Sequence, residues 1–221
     1  MTRTLDPVIG NLRELVLRMG SRAEAILDKS LRAVLERDLE CARQVADDDL
    51  EIDRLDVEID DAVLKALALQ APVAADLRQV VAIKMMANDL ERVGDLARNI
   101  AKSALRMCGH DKGALPHELL QLARDSQRVL RNALDAFSNS DAGAAQSVMD
   151  EDDRIDSEED RVVRSALAEL PGEREATSAA VDMILIAKNL ERVADHATNI
   201  AEDVILVTEA RNVKHAQKLA R

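Results

Sequence analysis

From residue 8 to about residue 36, Ile9, Leu12, Leu15, Val16, Met19, Ala23, Ile26, Leu27, Leu31 and Val34 recur at helical spacing. That stripe predicts a first helix, with Asp6 as N-cap and Pro7 in its first turn. Arg37-Asp38 reads as a tight break, with Asp38 capping a second helix over 39–69. In that second helix Leu50, Ile52, Leu55 and Ile59 point away from a narrow arc of Asp49, Asp53, Asp56 and Asp60. Ala71-Pro72 ends it, because the residue before proline disfavours the α region. A third helix over 77–107 follows, then a linker at 108–113 that holds two of the seven glycines. After Pro116 the pattern restarts. A fourth helix is predicted over 117–137, a polar break with Asp141 as cap, and a single acid-rich fifth helix over 142–170. Pro171-Gly172 closes the fifth, and a sixth helix runs from 177 to the chain end, where Lys214, Lys218 and Arg221 suit the negative pole of the helix dipole.

The second half repeats the first. Leu90-Glu91-Arg92-Val93-Gly94-Asp95-Leu96-Ala97-Arg98-Asn99-Ile100-Ala101 returns one hundred residues later as Leu190-Glu191-Arg192-Val193-Ala194-Asp195-His196-Ala197-Thr198-Asn199-Ile200-Ala201. Through the preceding helices the offset is 103, so Asp38 meets Asp141, Asp49 meets Asp152 and Asp53 meets Asp156. The residues lost from the offset lie near the end of the fifth helix, about one turn's worth, which shortens a helix without rotating its faces. The pattern predicts an all-α chain: a tandem repeat of two three-helix bundles, six long helices, with bundles over 1–108 and 114–221.

Composition narrows what such bundles can do. With no Trp, no Tyr and the single Phe137, the cores must be aliphatic, and no platform exists for stacking bases. A net charge of −12 excludes nucleic acid as a natural partner and suits cations or a basic protein surface. Cys41 and Cys108 lack metal-type spacing and read as small apolar side chains. No signal-peptide core opens the chain and no apolar run approaches the ~20 residues needed to span a bilayer, so the expectation is a soluble cytoplasmic protein without direct membrane insertion.

The repeated stretch carries the chemistry. On a helix, Leu90, Val93, Ala97 and Ile100 form one face, and Glu91, Asp95 and Asn99 the opposite one. The second copy repeats this with Glu191, Asp195 and Asn199. Each copy thus sets two like charges one turn apart, an arrangement that destabilises an isolated helix by a few tenths of a kcal/mol, about 0.2–0.5. Two compensations are open. Either Arg92, Arg98 and Arg192 balance exposed carboxylates, or cations bind where these pairs converge with those of the preceding helix. The candidate metal ligands are Asp49, Asp53, Glu91 and Asp95 in the first half, and Asp152, Asp156, Glu191 and Asp195 in the second. All-oxygen sets suit hard cations such as Mg²⁺, Mn²⁺, Ca²⁺ or iron. Asp56 meets Glu159 in the repeat, but Glu58 meets Arg161 and Asp60 meets Val163, so the acidic face of the fifth helix is the shorter one. His196 has Leu96 as its counterpart and reads as a structural or pH-responsive group rather than a required ligand. Gly94, inside a helix, points to close backbone approach by a neighbour. A carboxylate-bundle metalloenzyme is the alternative reading, but no acid stands three residues before any of the four His, and no nucleophile or phosphate-cradling loop is present.

The two Leu-Glu-Arg-Val-x-Asp copies, together with Ile52-Asp53-Arg54-Leu55 and Ala71-Pro72-Val73-Ala74-Ala75-Asp76-Leu77-Arg78, resemble the PhoU family along nearly the whole chain. The resemblance implies two three-helix bundles whose surface metal sites fall on the eight carboxylates named above, holding divalent or iron-type cations (Mg, Mn, Fe or Zn). It also implies a non-enzymatic cytoplasmic adaptor, a homodimer, between the ATPase subunit of a phosphate ABC transporter and a sensor histidine kinase. Such an adaptor represses the phosphate-starvation response when phosphate is plentiful.

Overall fold

A computed structural model describes residues 5–107, 115–169 and 174–214 of the chain. Every regular element among them is an α-helix. The first bundle comprises α1 (Asp6–Leu35), α2 (Leu39–Gln70) and α3 (Ala74–Met107). The second comprises α4 (His117–Asn139), α5 (Ala142–Met149), α6 (Asp152–Glu169) and α7 (Arg174–Glu209). The fold is the expected tandem of three-helix bundles. The 108–113 linker that would divide the repeats, the Pro171-Gly172 stop, and Lys218 and Arg221 lie outside the described residues.

Three local expectations are corrected. The fifth helix is not continuous: α5 stops at Met149 and α6 starts at Asp152. A continuous helix would hold the run of acids at 150–153 in mid-helix, where aspartate is a weak former. Breaking at Glu151 instead places Asp152 and Asp153 in the first turn of α6, where the helix dipole favours negative charge. The break is pinned from outside, since the Glu151 carboxylate accepts from Arg128 at 2.6 and 2.5 Å and from Arg154 at 2.6 Å. Second, α7 ends at Glu209, followed by Ala210 in the left-handed region at φ 54°, and Lys214 turns back to Asp203 Oδ1 at 3.1 Å. Third, the α1 cap position falls at Leu5, whose side chain is buried, so Asp6 lies in the first turn. The caps expected at Asp38 and Asp141 form, each carboxylate accepting from two backbone N–H groups of the next turn.

One aliphatic core runs through both bundles, joining Leu12, Met19, Ile26, Ile52, Ile83, Leu90 and Ile100 to Leu122, Leu130, Ile186, Leu190 and Ile200. Helices α3 and α7 lie antiparallel at its centre, as Asp89 meeting Asn199 and Arg106 meeting Asp182 establish. Helices α1 and α4 also pack together. At Gly20 a Cβ would fall 2.6 Å from Leu134 Cδ2, so only glycine admits the Leu134 side chain that close. Beside it the Arg13 guanidinium lies over the Phe137 ring at 4.6 Å and donates to Phe137 O at 3.0 Å. No helix among the described residues is long and apolar enough to cross a membrane. The central α3 and α7 leave two outer seams for chemistry, one between α2 and α3 and the other between α6 and α7.

Candidate metal centre

The repeat register holds in three dimensions. Arg98 on α3 reaches Asp49 on α2, and Thr198 on α7, its counterpart, donates to Asp152 Oδ1 on α6 at 3.3 Å. Both seams therefore present the same four carboxylates from the same pair of helices. What surrounds them differs.

On the α2–α3 seam Asp49, Glu91 and Asp95 have arginine partners, although burial first and then the charge of Asp95 still raise the Glu91 carboxyl. Arg98 donates from Nη1 to Asp49 Oδ2 at 2.6 Å and from Nη2 to Asp95 Oδ1 at 2.5 Å. Arg92 lies 3.3 Å from Glu91 Oε2 and donates to Asp95 Oδ2 at 3.2 Å. Lys84 bridges Asp56 and Asp60. Asp49 is only 2% exposed, and burial pushes its carboxyl up against the opposing pull of Arg98. Its Oδ1 sits 2.7 Å from where a Cβ on Gly94 would stand, with Ile52 Cδ1 at 3.0 Å, the close approach anticipated at that glycine. Asp53 is exposed on the outer side of α2.

On the α6–α7 seam, Asp156, Glu191 and Asp195 each place a carboxylate oxygen within 4.8 Å of the others. They form the three-acid group with metal-compatible spacing among the described residues. Two ligands one turn apart on α7 and one across the seam on α6 can close around a single hard cation. Asp152, one turn before Asp156, is half-buried at the N-terminal turn of α6. Burial first, then the charge of Asp195, raises the Glu191 carboxyl to about 7. Partial desolvation by the packed seam also raises the solvent-facing Asp195, reinforced by Asp152 and Asp156, and Asp156, reinforced by Asp152 and Asp153. These shifts record a cluster with more negative charge than its neighbours offset.

Glu159 is a participant that the list of eight carboxylates leaves out. It is 3% exposed, its Oε2 pairs with Lys188 Nζ at 3.0 Å, and its Oε1 has no hydrogen-bond partner. It bears electrostatically on both Asp156 and Glu191, and a buried oxygen left without a donor is costly, by about 1–3 kcal/mol. The three converging carboxylates, in a seam that carries this further buried acid, fit a hard cation. The sequence did hold a signal for Glu159, namely its alignment with Asp56 in the repeat. His196 stands apart from the cluster's ligand set, its Nδ1 2.7 Å from Asp89 Oδ1 on α3, where Asn199 also donates at 3.2 Å.

Comparison with known proteins agrees with this architecture. A family model described as "PhoU domain" matches twice, at residues 16–104 and 119–204. A phosphate-specific transport system accessory protein PhoU homolog of Pseudomonas aeruginosa is 32% identical over 218 residues, covering 97% of this chain and 89% of that protein. A protein of the same description from Caulobacter vibrioides is 35% identical over 195 residues, covering 88% and 85%. The crystal structure of PhoU from P. aeruginosa superposes with a TM-score of 0.89 at 31% identity, covering 94% of this chain and all of that one. A phosphate transport system regulatory protein PhoU from Streptococcus pneumoniae gives 0.87 at 27% identity, covering 95% and 99%. With both repeats matched and relatives above 30% identity along nearly its full length, the chain belongs to the PhoU family.

Proposed function

We propose that this chain is a non-enzymatic regulator of phosphate transport that holds a metal cation on the α6–α7 seam. The metal reading is carried by the convergence of Asp156, Glu191 and Asp195, with the buried Glu159 adding its charge to the same seam. The regulatory reading is supported by relatives named as accessory or regulatory proteins of phosphate transport. On this reading the repeats 1–108 and 114–221 act as one cytoplasmic adaptor, dimerising and joining the ATPase subunit of a phosphate ABC transporter to a sensor histidine kinase. It keeps the phosphate-starvation response low while phosphate is abundant. Asp156, Glu191 and Asp195 are the ligands, with Asp152 adjoining, and an all-carboxylate set favours Mg²⁺, Mn²⁺ or iron over Zn²⁺.

A metalloenzyme of the carboxylate-bundle type finds less support. Such enzymes build their sites from Glu and Glu-x-x-His facing the bundle core, whereas Asp156 and Asp195 are exposed and no histidine among the described residues joins them. The test is deletion of the gene in its own host with a phosphate-starvation promoter reporter, complemented by wild type or Glu191→Gln. Derepression in high phosphate, reversed by wild type, is the expected result. A reporter that stays silent on deletion removes the regulatory reading.

A further inference from the structure

The two seams carry matching carboxylates on matching helices, yet differ at two positions that decide what can sit between them. Gly94 becomes Ala194, and Arg98 becomes Thr198. In the first half, the Gly94 notch lets the Asp49 carboxylate settle against α3, where it is 2% exposed. The Arg98 guanidinium then spans Asp49 and Asp95 with one nitrogen on each, at 2.6 and 2.5 Å. It thereby holds Asp95, the counterpart of Asp195, and ties it to Asp49 across the seam, so one of the three acids that match the α6–α7 group already has a cation. A guanidinium cannot be neutralised within the range in which proteins work, and its two-pronged geometry suits a pair of carboxylates. In the second half, Ala194 fills the notch, Asp152 stays half-buried, and the shorter Thr198 offers a neutral hydroxyl.

The cations of the third and sixth predicted helices point the same way. Lys84, Arg92, Arg98 and Lys102 on α3 have Ile184, Arg192, Thr198 and Glu202 as their counterparts on α7, with Lys188 added in place of Asn88. Resting on the metal reading above, we infer that the chain takes metal in its second half only. In the first half the Arg98 guanidinium is a built-in cation that takes up Asp95, the counterpart of Asp195, and ties it to Asp49. The four first-half carboxylates Asp49, Asp53, Glu91 and Asp95 are then structural, and the duplicated site has one metal-responsive copy.

The experiment is a Mn²⁺ titration of the full chain, followed by calorimetry and by the electron paramagnetic resonance signal of free Mn²⁺. Wild type is compared with Glu91→Gln, Glu191→Gln, Arg98→Thr and Thr198→Arg, each checked for folding by circular dichroism. Glu191→Gln and Thr198→Arg are expected to weaken binding at least about tenfold, the scale seen when groups at a metal site are altered. Glu91→Gln is expected to leave the wild-type isotherm unchanged, and Arg98→Thr to add a second class of sites that Glu91→Gln abolishes. If Glu91→Gln alone removes part of the Mn²⁺ bound by wild type, the first half binds metal, and this inference falls while the metal reading stands. If no variant and no wild-type sample binds Mn²⁺, the metal reading falls and takes the inference with it. The Glu91→Gln and Glu191→Gln pair decides the matter even if Arg98→Thr proves unstable.

Discussion

The α2–α3 and α6–α7 seams have the same backbone architecture and the same four acids, but different cations among them. In the first, an arginine is driven in among the carboxylates, and Asp49 is buried under it. In the second, Glu191 is lifted to about 7 and Glu159 keeps an oxygen without a donor. Shared residues are therefore poor evidence of shared chemistry within a repeat. The positions between the shared ones, Gly94 and Arg98 against Ala194 and Thr198, set the local charge balance.

The sharpest way to break this comparison is to remove Arg98. Arg98→Ala strands the Asp49 carboxylate at 2% exposure beside Asp95. Breaking one side of a buried pair costs about 3–5 kcal/mol, and because Arg98 is itself 36% exposed the expected loss falls below that range, at about 2–3 kcal/mol. Thr198→Ala, its counterpart, removes one neutral hydrogen bond and should cost about 1 kcal/mol or less. Urea unfolding of the two variants in chelator checks the difference. Equal losses would mean that Arg98 is a surface decoration rather than the internal cation of its seam.

Next comes Gly94→Ala. A Cβ there would meet Asp49 Oδ1 at 2.7 Å and Ile52 Cδ1 at 3.0 Å. The gain in helix propensity is about 1 kcal/mol, but overpacking of a filled site costs about 1–3 kcal/mol, so a net loss near 1 kcal/mol is expected. Asp49 cannot retreat while Arg98 holds it, so the loss should shrink in the Arg98→Thr background. A double-mutant cycle reads that coupling; strict additivity would show that notch and guanidinium act independently.

Much of this was legible in the sequence. The apolar stripe running from Ile9 to Val34, the caps at Asp38 and Asp141, and the doubled Leu-Glu-Arg-Val-x-Asp motif were sufficient for the bundles, because helical period and capping are local properties. The break at Glu151 was hidden because it depends on Arg128, which reaches over from α4. Counting acids along one helix does not locate the three-acid group. The second half has the shorter acidic face, since Val163 replaces Asp60, yet it is the half in which three carboxylates gather. Asp60 and Asp56 share Lys84, and that lysine is Ile184 in the repeat, so the shorter row of acids is also the less neutralised one. Net balance across a seam requires knowing which helices touch, and a single helix's face does not report it.

A pH series sharpens the comparison on a smaller scale. The folded-state pKa of Glu191 lies near 7, above its ordinary value of 4.5, so folding favours its neutral form. Its contribution to stability is fully present below pH 4.5 and is lost as pH rises through about 7. In chelator, Glu191→Gln should therefore stabilise the protein at pH 8 relative to wild type and do little at pH 4. Mn²⁺ should reverse the order at pH 8, because the metal needs the carboxylate and displaces its proton. Thermal melts at the two pH values, with and without Mn²⁺, test both signs. A Glu191→Gln variant that is less stable than wild type at pH 8 in chelator would contradict the crowded-charge account of the seam.

The smallest expected effect lies where the halves meet rather than within either seam. His196 occupies the place of Leu96 in the repeat, and its Nδ1 lies 2.7 Å from Asp89 Oδ1 across the α3–α7 contact. Leu96 is buried at 2%, so the equivalent place in the first half is satisfied by packing alone. His196→Leu would extend that packing while removing one of the partners of Asp89. Asn199 still donates to the same oxygen at 3.2 Å, so the carboxylate is not left bare. Lost hydrogen bond and gained apolar burial are each worth about 1 kcal/mol and oppose each other, so the unfolding free energy should move by less than about 1 kcal/mol. Mn²⁺ affinity should stay within about twofold, since the histidine faces α3 and the ligands face α6. A tenfold drop in Mn²⁺ affinity would instead make the inter-bundle contact part of the metal centre, and the two seams could no longer be treated as separate units.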